Sequence, residues 1–132
     1  MLIDTHAHLT DEKFLGLTDD IIKDLENQKV EKVFCMATDK KSIEDVFDLS
    51  QKYPNIYAML GIHPEDLDDW DDKTKNRIIE LSQNPKVIGI GEIGLDYHYR
   101  NDNKEKQKHV FVEQLKLAHM LKLPVSIHNR DS

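Results

Sequence analysis

Only one cysteine, Cys35, occurs in the 132 residues, so no internal disulfide can form and a packed core must hold the fold. It lies in the apolar run from Val33 to Ala37, where a small buried hydrophobe is a better reading than a nucleophile. Positive charge is not in excess either. Twenty-five acidic residues face 18 basic ones, for a formal net charge of -7. That balance argues against a broad, non-specific polyanion binder. It leaves room for an enzyme that handles a phosphodiester through bound cations. No apolar stretch approaches the roughly 18 residues of a membrane span. Met1 to Asp4 lacks the basic region and long apolar stretch of a signal peptide, and the expected compartment is the cytoplasm. Low-complexity linkers are missing too, so one domain is expected over residues 1–132.

Within those limits the composition is that of a globular chain, 39% hydrophobic and 33% charged. Short apolar runs alternate with segments of helical spacing. Leu2-Ile3 opens a first strand that breaks into Asp4-Thr5-His6-Ala7-His8, and Val30 to Ala37 reads as a second. Ile56 to Leu60 is a third, Val87 onward a fourth and Val125 to His128 a fifth. Thr18 is expected to cap the first helix, with Ile21, Ile22 and Leu25 inward, and Asp39 or Ser42 the second. The third helix carries Ile78, Ile79 and Leu81. The fourth is expected to pack through Val110, Phe111, Leu115, Ala118 and Leu121. Strands alternating with helices imply parallel strands and right-handed crossovers. Two architectures satisfy this: an open doubly wound sheet, or part of a (β/α)8 barrel. A glycine-rich nucleotide loop after the first strand would favour the open sheet; a histidine pair stands there instead.

The fourth strand carries Glu92 between Gly91 and Gly94, directly after an apolar run. A carboxylate leaving a buried strand is costly unless a cation or hydrogen bonds satisfy it. A solvated strand-end glutamate is the plain alternative. His6 and His8, one residue apart, point to the same face of an extended chain, though such pairs also arise on surfaces by chance. His63, in Gly61-Ile62-His63-Pro64, and His128 each read alone as a loop or partly buried histidine. Taken together, His6, His8, His63, Glu92 and His128 all fall at or just past the carboxyl ends of strands. In parallel α/β folds sites are built on that rim. Imidazoles and a carboxylate converging there suit zinc, manganese or related ions, and a two-oxygen Glu92 is the natural bridge between two. Asp4 and Asp96 are candidates to orient ligands. His98, His109 and His119 read as surface or supporting residues. The acidic run Glu65 to Asp72 reads as a solvated loop leading into a helix.

Four ordered stretches, Leu2 to Leu9, Gly61 to Pro64, Gly89 to His98 and Pro124 to Asp131, resemble the N-terminal half of the TatD family of metal-dependent deoxyribonucleases. Gln107 to Leu123 has the family's flavour as well. The resemblance implies a partial TIM-type barrel of five parallel strands and four helices, not closed by this chain. It implies a hydrolase that cleaves phosphodiesters at DNA ends with two divalent ions, Mg, Mn or Zn. His6 and His8 would then hold one ion, Glu92 bridge, and His128 hold the other. His63 and Arg130 would lie near the substrate phosphate. Glu65, where many relatives carry histidine, and Ser132, where alanine is usual, depart from the family pattern.

A complete barrel of this type takes about 250 residues. The family's remaining metal-binding histidine and its active-site aspartate come from later strands, so neither can be assigned here. The chain is therefore expected to be a fragment, with open sheet edges needing self-association or a complementary chain. Two other readings stand beside the nuclease. One is a small-molecule amide or ester hydrolase on the same barrel; the other is a non-catalytic, metal-binding half-barrel.

Overall fold

The computed structural model describes residues 1–132 as five strands and four α-helices in strict alternation. The strands are β1 (Leu2–Ala7), β2 (Val30–Met36), β3 (Ile56–Leu60), β4 (Val87–Asp96) and β5 (Val125–Arg130). The helices are α1 (Thr18–Asp24), α2 (Lys40–Lys52), α3 (Asp72–Leu81) and α4 (Lys104–Leu121), with short 3-10 turns at Glu12–Phe14 and Leu67–Asp69. Every neighbouring pair is parallel, and the strands lie in chain order, β1-β2-β3-β4-β5. A doubly wound sheet reverses its order at a switch point; this one never does. The sheet also curls. His6 on β1 brings Nδ1 to 3.2 Å from Ser126 Oγ on β5, with three strands between them. The result is a half-barrel wall, as expected, and not an open sheet.

The core lies between the wall and its helices. Val33, Cys35, Ile56, Ala58, Leu60, Val87, Ile90 and Ile93 meet Ile43, Val46, Ile78, Leu81, Leu117 and Ala118, all buried. Each such isoleucine or leucine contributes about 1.5–3 kcal/mol relative to exposure. Cys35 is fully buried among them, and burial raises its thiol to about 11, so it is a packing residue.

Several local expectations change. Thr18 does not cap α1: the N-cap is Leu17, with no side-chain bond, and the Thr18 hydroxyl turns back to the carbonyls of Leu9 and Phe14. For α2 the choice between Asp39 and Ser42 dissolves, because both act. Asp39 Oδ1 accepts the Ser42 N–H while Ser42 Oγ accepts the Asp39 N–H, a reciprocal box. Along α4, Val110 and Ala118 are buried as expected, but Leu117, Gln107 and Gln114 share that face. Phe111, Leu115 and Leu121 pack only at its margin. The strands run further than their apolar stretches. β1 continues through His6, β4 through Glu92 to Asp96, and β5 through His128 to Arg130. Glu92, His6 and His128 therefore stand within strands, where main-chain ladders fix them, and only His8 and His63 lie beyond strand ends.

Candidate metal centre

Irregular steps in the sheet aim the side chains inward. The β4–β5 register slips between Ile90 and Ile93, around Glu92. Beyond Leu60 the chain of β3 leaves the sheet, and the Glu92 N–H reaches the carbonyl of Ala37 at 2.9 Å. Gly94 makes the next contact possible. Its φ is +151°, and a Cβ there would lie 1.9 Å from the His128 carbonyl oxygen, so only glycine lets β5 approach closely enough to place His128.

Glu92 is the hub. Its Oε2 lies 3.5 Å from His6 Nε2 and 3.2 Å from His8 Nε2. Its Oε1 lies 3.2 Å from His128 Nδ1. The two histidines of β1 converge as their spacing implies, with Nε2 atoms 3.0 Å apart. His63 meets His128 ring to ring, centroids 4.3 Å apart. Two groups of donors result, His6-His8-Glu92 and His63-Glu92-His128, each with its donor atoms within 4.8 Å of one another. Both contain Glu92, one oxygen facing each side. The donor set is imidazole and carboxylate throughout, which fits a divalent transition ion.

Burial sets the charges. Burial alone would raise the Glu92 carboxyl, but the His8 hydrogen bond and the nearby His6 and His63 rings reverse this and hold it at about 2. Desolvation, then the neighbouring His128, lowers His63 to about 4, so its imidazole is neutral at pH 7. His63 Nδ1 accepts the Glu65 N–H at 3.1 Å, which leaves Nε2 as the other ring nitrogen. Asp66, half-buried near Asp39, Asp69 and Glu65, is raised to about 6 by burial and those carboxylates. These groups line a cavity of about 330 Å³ with His8, Asp11, Thr38, His63, Glu65, Asp66, Glu92 and His128, and no hydrophobic residue among them.

The supporting carboxylates divide. Asp96 Oδ2 lies 2.8 Å from His128 Nε2, and its Oδ1 accepts the His98 N–H. Asp4 instead accepts the His6 backbone N–H and touches no ring. Arg130 is exposed and forms no ion pair; its guanidinium carbon stands 4.9 Å from the Tyr99 ring centroid. His98 pairs with Asp131 at 2.9 Å on the surface, and His109 and His119 are exposed. The acidic loop is a turn whose Asp71 caps α3.

A model of the TatD related DNase family matches residues 3–132. The chain belongs to that family. It is 40% identical over 132 residues to the uncharacterized metal-dependent hydrolase YabD of Bacillus subtilis, covering all of this chain and 52% of that protein. It is 31% identical over 131 residues to the 3'-5' ssDNA/RNA exonuclease TatD of Escherichia coli K12, of which it covers 50%. The crystal structure of YjjV, a TatD homologue from E. coli K12, superposes with a TM-score of 0.88 at 33% identity, over 98% of this chain and 51% of that one. The chain thus spans about half the length of the TatD relatives it matches.

Sequence reasoning missed some participants. Ser126, against His6, is one; Gln107 and Gln114 are others. The glutamines had a legible signal: two amides seven residues apart on the apolar face of a helix, where polar atoms require partners.

Proposed function

We propose that residues 1–132 form the N-terminal, ion-holding part of a divalent-metal-dependent hydrolase that cleaves phosphodiesters at DNA ends. The observation that carries this reading is the division of Glu92, with one carboxylate oxygen toward His6 and His8 and the other toward His128. His6 and His8 would hold one divalent ion, His128 a second, and Glu92 would bridge them. When bound, such ions polarise phosphoryl oxygens and make water acidic near neutral pH. The chain's own residues supply the remainder. Neutral His63, a member of the second group, accepts the Glu65 N–H on Nδ1, so its Nε2 carries the proton and can donate a hydrogen bond to a phosphate oxygen. Arg130, unpaired by any carboxylate, is free to form charge-assisted bonds to phosphate. Asp96 holds the His128 ring in its orientation. The exonuclease TatD relative supports a nucleic-acid substrate, and we assign the activity to the cytoplasm.

Leu2, Ile3 and Ile127, on the two edge strands, are exposed. A second copy or a complementary polypeptide would cover those edges.

The test is digestion of end-labelled single-stranded DNA with added Mn²⁺, comparing this chain with Glu92→Ala. Turnover that disappears in the variant and with EDTA would mean that these residues assemble a working site, with the groups expected from later strands replaced. No turnover above that of the variant would assign the hydrolysis to a longer protein and favour an ion-binding half-barrel without catalysis for this chain.

A further inference from the structure

Gln107 and Gln114 lie outside the donor set yet hold its scaffold. Each is 1% exposed. Seven residues apart on α4, about two turns, they present their amides to the sheet from one face. Gln114 Oε1 accepts the Ile62 N–H at 2.7 Å, and Gln114 Nε2 donates to the Ile62 carbonyl at 3.0 Å. Gln107 repeats the arrangement on Asp96: Oε1 accepts its N–H and Nε2 donates to its carbonyl, both at 2.8 Å. Each carboxamide pairs with both backbone polar groups of one residue, as a neighbouring strand would.

The clamped residues are where the sheet stops supplying partners. Ile62 follows the end of β3 and directly precedes His63; Asp96 is the last residue of β4 and holds His128 through its carboxylate. Satisfying buried backbone groups is reason enough for some polar side chain at each place. That both clamps fall on the supports of His63 and His128 is a narrower fact.

We propose that Gln107 and Gln114 are positioning residues, which hold the His128 and His63 imidazoles in register with Glu92. This deepens the metal reading above and rests on it for its consequence, though the clamps act without an ion. Gln114→Met keeps length and volume but leaves the Ile62 N–H and carbonyl unpaired; Gln107→Met does the same at Asp96. Each is expected to displace its own imidazole and spare the other. Val110→Ala, a buried substitution on the same helix face, is the control for lost packing alone.

The experiment has two arms on the whole chain. In the ion-free protein, ¹⁵N NMR follows amide exchange at Ile62 and Asp96 and the imidazole nitrogens of His63 and His128. Gln114→Met is expected to speed exchange at Ile62 and move the His63 nitrogens, and Gln107→Met to speed exchange at Asp96 and move those of His128. Val110→Ala lowers the melting temperature and moves neither. In the second arm, Co²⁺ titration read by visible absorption is expected to weaken about 10–100-fold in each glutamine variant and to keep its affinity in Val110→Ala. Unmoved imidazole signals, or a Co²⁺ loss in Val110→Ala as large as in the glutamine variants, would overturn the proposal. If the unaltered chain takes up no Co²⁺ while the imidazole signals still move, the metal reading falls and the positioning stands.

Discussion

At the scale of single residues, chemistry and stability pull against each other at His63. Its side chain is buried, and desolvation keeps it neutral down to about pH 4 instead of the usual 6.5. Below pH 6.5 the unfolded chain therefore binds a proton that the folded chain refuses. Stability contributed by the neutral ring is present above pH 6.5 and is lost as pH falls toward 4, by about 3 kcal/mol in full. Urea titrations in EDTA should show that slope between pH 6.5 and 4, and His63→Gln should flatten it; an unchanged slope in the variant would assign the effect elsewhere. Residue-level chemistry was partly legible in the sequence. The one-residue spacing of His6 and His8 implied a shared face, and their Nε2 atoms do meet. Asp4 and Asp96 were both legible as partners of candidate donors: Asp96 meets the His128 ring, and Asp4 meets His6 through its backbone N–H instead of its ring. Glu92 was expected to stand between two groups by virtue of its two oxygens, and they do face His6 and His8 on one side and His128 on the other. The register slip beside it was invisible, because no local pattern announces one.

At the scale of elements, the site depends on how closely β4 and β5 approach. Gly94 faces the His128 carbonyl with no room for a Cβ and a φ that side chains rarely adopt. Gly94→Ala should destabilise the fold by about 3 kcal/mol or more, read as the shift in a urea midpoint, with His128 displaced. A variant as stable as the parent would mean that β5 is held chiefly by other contacts. Element boundaries were less legible than element identity. All five strands and four helices were expected, yet β1, β4 and β5 run into polar residues because ladder bonds continue where hydrophobicity ends. Thr18 misled for the opposite reason: a hydroxyl at a helix start has local carbonyls to serve as well as the helix. The amides of Gln107 and Gln114 were hidden by counting only apolar positions on α4.

At the scale of the whole molecule, strand order separated two architectures that composition and periodicity left open. The uninterrupted order β1 to β5 makes half of a barrel wall, the part that aligns with 51% of the YjjV chain. Its inner face gathers donors from β1, β4 and β5 and from the segments after β1 and β3. Both edge strands expose backbone and apolar side chains, which are ready templates for pairing. Light scattering across a dilution series should show concentration-dependent association, and Ile127→Lys should weaken it. A monodisperse monomer at every concentration would remove the proposal of a covering partner.

The central claim, that Glu92 joins two donor groups into one divalent-ion centre, is most directly tested by calorimetric titration of the chain with Mn²⁺ beside Glu92→Gln. An amide keeps the shape but offers one acceptor oxygen and no charge. The account predicts two ions bound per chain and binding at least about tenfold weaker in the variant. Binding that is absent in the parent, or equal in both, would contradict it.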